Sequence, residues 1–318
     1  MGTSPHAART GRPFLAPKVG TLERHIRIEG GASVEFTSSM STSSAIVDLS
    51  VSAATDIGTV RKVNEDSFLA ATPIYLVADG MGGHRAGDKA SQTVCATFAA
   101  AFPTAVAATA DAVLDAIQAS NVAVRDLSDA ASQSISGTTL SGIALVEAYE
   151  GASLHWMAFN IGDSRIYAWD GRELSQLSVD HSAVQELVEA GLITPAEAAI
   201  HPERNIVTRA IGAFDAVDAD IWLLPVSGNQ SFLLCSDGLT KEVTDEQIGS
   251  LLAEHNSALS ATSVAQALVS AALAAGGKDN ITAVFVESLA STNSLPDEDT
   301  TGRARRANAY LEDTMPRS

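Results

Sequence analysis

The stretch IYLVADGMGG, from Ile74 to Gly83, joins a continuous apolar run to one acidic residue and three glycines. The run from Ile74 to Ala78 predicts a β-strand, because it is hydrophobic throughout and is bounded by a turn signal. Asp79 follows where glycines let backbone carbonyls approach a cation closely. The stretch therefore predicts a strand end that presents a carboxylate.

Three further acidic stretches stand beside apolar runs or glycines: NED at 64–66, SDG at 236–238 and KDN at 278–280. Asp237 follows the apolar run FLLCS, and Asp279 precedes a predicted strand. Converging carboxylates repel one another unless hard cations neutralise them, so the pattern predicts two bridged Mg²⁺ or Mn²⁺ ions. No HExxH motif supports zinc. Taken alone, each Asp-Gly pair is also typical of an ordinary turn.

Arg61 lies three residues before the NED stretch. A guanidinium beside the carboxylates suits bidentate recognition of a phosphate. The alternative is a weak surface salt bridge with Glu65 or Asp66.

The composition fits one large globular domain or two small ones, with 46% hydrophobic residues in 318. The formal charge of −18 predicts a surface that repels phosphate backbones, so nucleic acid is not an expected partner.

Cys95 and Cys235 are the two cysteines, and both lie in predicted helix or strand interiors. This favours buried thiols in a reducing compartment, and neither residue begins a C-x5-R phosphate loop. No secretory signal is expected, and the longest uncharged run, 90–110, is too polar to span a bilayer. We expect a soluble, cytoplasmic protein without membrane contact.

Three segments are predicted from shifts in composition. Residues 1–50 form a flexible extension, in which Met40 is a possible natural start. Residues 51–288 form a compact catalytic domain, and residues 289–318, with a basic RARR at 303–306, form a disordered tail.

Periodicity within 51–288 predicts alternating groups of strands and helices. The strands are 74–78, 154–159, 165–169, 231–235 and 281–287, and the helices are 87–102, 111–131, 182–190, 244–255 and 260–275. Paired strands and paired helices favour an antiparallel sandwich with helices outside over βαβ alternation.

Eight motifs follow one another as RKVNEDS, LVADGMGGHRAGDKAS, SGTTL, NIGDSRIYAWDG, LSVDHS, VTRAIG, LLCSDGLT and GGKDNITAVFV. This ordered set, over residues 52 to 287, resembles that of bacterial metal-dependent Ser/Thr protein phosphatases of the 2C type. The resemblance implies an α+β fold, namely a four-layer αββα sandwich of two antiparallel β-sheets flanked by helices. It also implies hydrolysis of phosphoserine and phosphothreonine by a hydroxide that bridges two Mn²⁺ or Mg²⁺ ions.

The same resemblance implies roles for individual residues. Asp79 resembles the ligand that bridges both ions, and Gly80 the ligand that offers its carbonyl. Asp237 and Asp279 resemble the remaining ligands of one ion, and Glu65 and Asp66 resemble outer acids that hold metal-bound water. Asp163 resembles the ligand of a third ion, or is an ordinary turn aspartate. Arg61 matches the phosphate-binding arginine, and Asn280 a position beside the last ligand.

One position departs from the pattern of eukaryotic relatives, which carry a histidine where this chain has Met81. Methionine cannot protonate the leaving oxygen, so His84 or a metal-bound water is a candidate acid, and His84 is equally well explained as structural. His181 is expected to be structural. Residues 186–209 resemble a mobile flap that borders the active site.

The expected partners are phosphorylated proteins and an opposing Ser/Thr kinase, and a monomer is expected. Two other functions stay open at this point. One is a catalytically weak relative that binds phosphoproteins as a regulatory module, and the other is a phosphohydrolase of small phosphate esters.

Overall fold

The computed structural model describes residues 25–26, 32–41, 45–82, 86–127, 136–147, 153–257 and 262–292. His84, the first 24 residues and residues 293–318 of the predicted tail lie outside these ranges. The prediction of disorder was wrong for residues 289–292 of that tail, which form the end of a β-strand. All structural statements below concern the described part of the chain.

Two antiparallel sheets form the centre of the fold. The strands are β1 (His25–Ile26), β2 (Ala32–Ser41), β3 (Ala45–Asp56), β4 (Asp66–Ala71), β5 (Ile74–Met81), β6 (Ala108–Thr109), β7 (Gly137–Thr138), β8 (Leu140–Glu147), β9 (Leu154–Ile161), β10 (Arg165–Trp169), β11 (Leu174–Gln176), β12 (Asp220–Pro225), β13 (Asn229–Cys235) and β14 (Ile281–Thr292). The first sheet has the order β1-β4-β5-β8-β9-β12, with β6 beside β8 and β7 beside β5. The second has the order β11-β10-β13-β14-β3-β2.

Helices cover the outer face of each sheet. They are α1 (Ala86–Ala101), α2 (Ala110–Asp126), α3 (Ala183–Glu189), α4 (Pro195–Ala198), α5 (Asp237–Thr240), α6 (Asp245–Ser257) and α7 (Val264–Ala275). The side chains of α1 and α2 pack on the first sheet, and those of α5, α6 and α7 pack on the second. The predicted four-layer αββα sandwich is confirmed.

Strand β5 shows why its sequence is apolar throughout. Successive side chains of a strand point to opposite faces. Tyr75 and Val77 therefore lie in the core between the sheets, whereas Ile74 and Leu76 pack with α1 and α2. Both faces are covered by apolar layers, so the strand reads as a continuous hydrophobic run rather than an alternation.

The helix ends follow local capping rules. The side chain of Ser263 accepts a hydrogen bond from Gln266 N, so α7 begins at Val264 and not at the predicted residue 260. It ends at Gly276 and Gly277, both with positive φ, as the two glycines predicted. The predicted helix 111–131 ends at Asp126 in the described residues, and 128–131 lie outside them.

The prediction of a flexible extension up to residue 50 was wrong for residues 32–41 and 45–50. These residues form β2 and the first half of β3, which pairs with β14 from Ala45 to Asp56. Val47, Leu49 and Val51 alternate with polar residues and enter the core between the sheets. This period-two pattern was the signal that could have identified β3, and the Ser/Thr content of the segment obscured it.

Other strands were missed as well, among them β4, β8 and β12. None of the described helices is both long enough and apolar enough to cross a membrane.

Candidate metal centre

Acidic residues from both sheets meet in one cleft of about 350 Å³. Asp79 belongs to β5 of the first sheet, and Asp163 lies in the connection from β9 to β10. Asp237 follows β13 and Asp279 precedes β14, and these two strands are antiparallel partners. Their carboxylates consequently emerge at the same end of the second sheet, as the strand-end argument predicted.

The backbone of Asp79 is held by the SGTTL segment. Its N–H donates to Thr139 Oγ1 at 2.9 Å, and its carbonyl accepts from Thr139 N and Thr138 Oγ1, each at 2.9 Å. Thr139 Oγ1 also shares a hydrogen bond of 2.7 Å with Ser164 Oγ. These threonines fix the direction of the Asp79 side chain, a role that sequence reasoning did not assign to them.

Two glycines are required here by close backbone contacts. A Cβ on Gly80 would lie 2.1 Å from the carbonyl oxygen of Gly87, and one on Gly238 would lie 1.9 Å from that of Asn280. Both distances are far below van der Waals contact, so only glycine fits at either position. The Asp-Gly pairs therefore bring main chain together around the acids, beyond what a simple turn requires.

Asp66 is fully buried behind the cleft. Its Oδ2 accepts hydrogen bonds of 2.7 Å from Ser236 Oγ and from Thr282 Oγ1. These contacts connect it to the segments that carry Asp237 and Asp279. The predicted outer acid thus lies beneath the lining of the cleft.

Glu65 does line the cleft, and Asn280 fixes its backbone. The side-chain oxygen of Asn280 accepts from Glu65 N at 2.8 Å, while its Nδ2 donates to the carbonyls of Ile57 and Val63. Asn280 therefore ties the NED segment to the start of β14.

Arg61 forms a bidentate salt bridge with Asp279, in which Nε lies 2.8 Å from Oδ1 and Nη2 lies 2.9 Å from Oδ2. The alternative partners considered from sequence, Glu65 and Asp66, are not those that it contacts. Its side chain is 49% exposed and faces the cleft, which leaves it accessible to a ligand.

Lys241 is a second cation in the cleft that the sequence analysis did not identify. Its ammonium contacts Asp237 Oδ2 and lies 3.4 Å from Asp279 Oδ2. The signal was available, because a lysine four residues after an aspartate faces it on a helix.

Asp163 lies in the turn that carries the chain from β9 of the first sheet to β10 of the second, so it does not cap a hairpin, and it also lines the cleft. The turn is supported by His181, whose Nδ1 accepts from Gly162 N at 3.0 Å and whose Nε2 lies 3.2 Å from Asp220 Oδ2. These contacts fit the structural role predicted for His181.

The charges of the cleft are strongly coupled. Burial, together with the charges of Asp66 and Asp237, raises the pKa of Asp79 well above its ordinary value. Burial raises the pKa of Asp66 to about 7 against two hydrogen bonds that lower it, and burial with the charge of Asp237 raises that of Asp163 to about 7. Burial also raises the pKa of Asp237, although Lys241 opposes this. Such a cluster is fully ionised at neutral pH only beside added positive charge.

The pKa of Asp279 is lowered instead. Burial acts to raise it, but the hydrogen bonds from Arg61 and the charge of Lys241 outweigh this effect. Asp279 is therefore the carboxylate whose charge the protein itself compensates best.

The oxygen atoms of the cleft are donors of the type that hard cations prefer. Within the described ranges, no group of three or more His, Cys, Asp or Glu side chains is arranged so that it could hold an ion. The carboxylates of Asp279 and Asp237 instead pair with Arg61 and Lys241. Asp237 Oδ1 is nevertheless buried and accepts no hydrogen bond from the described residues. A buried carboxylate oxygen without a donor, among acids that raise one another's pKa, fits Mn²⁺ or Mg²⁺.

Met81 lines the cleft next to Gly80, and Asn205 and Val207 reach it from the predicted flap. The last two residues were not singled out from the sequence. They place the 186–209 segment beside the acids, as the resemblance implied.

Acids of two antiparallel sheets that meet around one polar cleft in an αββα sandwich are the architecture of a metal-dependent phosphohydrolase. The profile of the family "Protein phosphatase 2C" matches residues 60–274. The chain belongs to the protein phosphatase 2C family.

Individual relatives agree with this assignment. The serine/threonine phosphatase stp of Listeria monocytogenes serotype 4b is 36% identical over 239 residues, which cover 73% of this chain and 93% of that protein. The PPM Ser-Thr phosphatase MsPP of Mycobacterium smegmatis, solved with cacodylate, superposes with a TM-score of 0.64 at 34% identity and covers 74% of this chain and 97% of its own. The catalytic domain of the phosphatase PstP, solved with two manganese ions, superposes with a TM-score of 0.64 at 34% identity. The match covers 76% of this chain and 99% of that domain.

The chain is a protein-serine/threonine phosphatase, and its substrates are phosphorylated proteins. The family, the fold and the activity predicted from the sequence are confirmed. The roles of single residues are taken up below.

Proposed function

We propose that this phosphatase hydrolyses phosphoserine and phosphothreonine with two Mn²⁺ or Mg²⁺ ions held by Asp79, Asp237, Asp279 and the carbonyl of Gly80. The observation that carries this proposal is the buried, unsatisfied Oδ1 of Asp237 in a cleft shared with Asp79 and Asp279. The two manganese ions in the PstP structure support the choice of metal.

Bound divalent ions supply Lewis-acid chemistry, which makes a hydroxide nucleophile available near neutral pH and neutralises charge on the phosphoryl group. The residues of the chain orient the proposed ligands and stabilise the strands that carry them. Thr138 and Thr139 fix Asp79, and Asp66 joins the strands beneath the ligands through Ser236 and Thr282. The acidic cleft gives the reaction a polar environment whose charges are set before substrate arrives.

Arg61 is proposed to bind the phosphoryl oxygens. Its guanidinium uses Nε and Nη2 on Asp279 and is half exposed to the cleft, so its remaining N–H groups can donate to a phosphate beside the ions. The charge that develops on the equatorial oxygens in the transition state is then shared between Arg61 and the metal site.

Asp163 is proposed to bind a third, weaker ion, because it is a buried carboxylate at the rim of the same cleft. Glu65 and Asp66 are proposed as outer acids. Glu65 lies where it can hold a metal-coordinated water, whereas Asp66 acts through the strands that it joins.

The biological setting is proposed from more general features. An opposing Ser/Thr kinase is the natural counterpart of the activity. A cytoplasmic location is supported by Cys95 and Cys235, which are buried thiols. A monomer remains a prediction that sedimentation of the purified chain would test.

The decisive experiment measures hydrolysis of a phosphothreonine peptide and of p-nitrophenyl phosphate, each with Mn²⁺ and with EDTA. Turnover that requires Mn²⁺ is the expected result, with a higher kcat/KM for the peptide if the flap selects protein substrates. A preference for the small ester would favour the phosphohydrolase of small esters. Absence of turnover with any divalent ion would leave only the regulatory binding module.

A further inference from the structure

Lys241 occupies an unusual position for a lysine. It directly follows α5, the short helix that begins with Asp237, and its ammonium contacts Asp237 Oδ2. The same ammonium lies 3.4 Å from Asp279 Oδ2, so one cation bridges two acids that enter from different segments of the second sheet. The side chain is 38% exposed, which means that it reaches the cleft from its open side.

The oxygens that Lys241 holds belong to the carboxylates assigned to one metal ion. Both carboxylate oxygens of Asp279 contact Arg61, and Oδ2 also contacts Lys241. Asp237 Oδ2 contacts Lys241, whereas Oδ1 accepts no hydrogen bond from the described residues. An ion that binds both carboxylates lies close to the ammonium that contacts their Oδ2 atoms, and two cations at the same ligands repel each other.

We propose that Lys241 is an internal counter-ion that holds Asp237 and Asp279 together in the metal-free protein and competes with the divalent ion for them. This inference rests on the metal assignment proposed above. It explains how a cluster of repelling carboxylates is tolerated before metal arrives, because the ammonium supplies part of the missing positive charge.

Lysine suits this role better than arginine. Its point charge sits on a flexible four-carbon stem, so it can leave the carboxylates when an ion arrives without breaking a planar two-point contact. Among the described residues Arg61 forms its ion pair with Asp279, whereas Lys241 contacts both acids and so holds the two carboxylates around one positive charge. Lys241 is a positioning residue in the metal-free protein and a competitor in the loading step.

The test compares Lys241→Met with Lys278→Met. Methionine keeps an unbranched stem of similar length and removes only the charge. Lys278 lies next to Asp279 in the chain, but its side chain is 78% exposed and does not line the cleft, and its ammonium lies 3.9 Å from Glu242 Oε1. The two variants therefore change the net charge equally, and only one removes the bridge. Titration calorimetry with Mn²⁺ and thermal unfolding in EDTA are measured for both and for the wild type.

We expect the Mn²⁺ ion that Asp237 and Asp279 are proposed to hold to bind about tenfold more tightly in Lys241→Met, the change that corresponds to losing one charge-assisted contact of about 1.4 kcal/mol. We also expect a lower Tm in EDTA for this variant and wild-type values of both quantities for Lys278→Met. Equal or weaker Mn²⁺ affinity, or an unchanged Tm, in Lys241→Met would overturn the inference while the metal assignment stands. A wild-type protein that gives no Mn²⁺ binding heat would overturn both.

Discussion

Asp66 and Asp79 lie directly opposite each other in the antiparallel pairing of β4 with β5. Side chains at paired positions point to the same face and approach closely, and like charges there destabilise a sheet. After burial, the charge of Asp66 is the largest cause of the raised pKa of Asp79. The sheet is thus built with an electrostatic strain that a bound cation relieves, and metal binding should be coupled to stability.

Asp79→Asn is predicted to abolish Mn²⁺-dependent turnover and to raise the stability of the metal-free protein. The substitution removes a proposed ligand of both ions, and it also removes one of the repelling charges. A gain on the order of 1 kcal/mol would raise the Tm in EDTA by about 2–4 °C in a domain of this size. Phosphopeptide hydrolysis and thermal unfolding in EDTA measure the two effects.

Asp115→Asn is the control, because Asp115 is an exposed acid on the outer helix α2. It should leave both turnover and Tm unchanged. Wild-type turnover in Asp79→Asn would contradict the metal assignment, and a fall in its Tm in EDTA would contradict the proposed strain.

Arg61 is predicted to contribute to the transition state through its fork and not only through its charge. At saturating Mn²⁺, Arg61→Met should lower kcat/KM for the phosphopeptide about a hundredfold, the size seen when one stabilising donor is lost. Arg61→Lys retains the charge without the planar fork and should lose about tenfold.

Arg172→Met removes an exposed arginine from the turn between β10 and β11 and serves as the control. It should behave as the wild type. Equal kcat/KM for the wild type and Arg61→Met would show that the guanidinium only pairs with Asp279.

Asp163→Ala separates the third-ion role from the turn role. If Asp163 binds a weak ion, the variant loses turnover, and high Mn²⁺ restores it only in part, while the Tm in EDTA does not fall. Asp170→Ala is matched to it, since Asp170 accepts hydrogen bonds from Arg172 N and Glu173 N in the hairpin turn between β10 and β11. Asp170→Ala should lower the Tm and leave turnover unchanged. The same result for Asp163→Ala would show that Asp163 only stabilises its turn.

The strands that the sequence predicted are those with a strong local signal. β5, β9, β10, β13 and β14 read as short hydrophobic runs because helices and the opposite sheet cover both of their faces. β2 and β3 were not predicted because Ser and Thr occupy their polar positions. Such a composition is typical of a loop, and the strand is recognised only when its partner strand is known. Pairing across the chain, as between β3 and β14, is not a local property of the sequence.

The candidate site also combines residues with a local sequence signal and contacts between distant parts of the chain. Asp79, Asp237 and Asp279 could be predicted, because each acid stands at a strand end next to an apolar run or glycine. The contacts that hold them could not, since Thr139 and Asn280 act through hydrogen bonds to residues more than 50 positions away. Lys241 was the exception, because its spacing from Asp237 was visible in the sequence.

The His181 imidazole is held in its neutral form by burial and by the contact of Nδ1 with Gly162. Nδ1 accepts the Gly162 N–H, which a protonated ring cannot do, and Nε2 faces Asp220. Burial lowers the pKa of His181, and the nearby charge of Arg209 lowers it further, although the hydrogen bond to Asp220 acts in the opposite direction. The unfolded chain therefore takes up the proton at a higher pH than the folded protein does.

His181→Gln is predicted to remove part of the acid sensitivity of the fold. Since the folded pKa lies below the ordinary value of 6.5, the contribution of His181 is complete above that pH and is lost as the pH falls towards the folded pKa. The free energy of unfolding, measured by urea in EDTA at pH 7.5 and 5.5, should favour the wild type at the higher pH, and its advantage should narrow at the lower. His155→Gln, which changes a histidine with no contact to Gly162 or Asp220, should follow the wild type. An advantage that stays constant or widens on acidification would show that His181 does not supply this pH dependence.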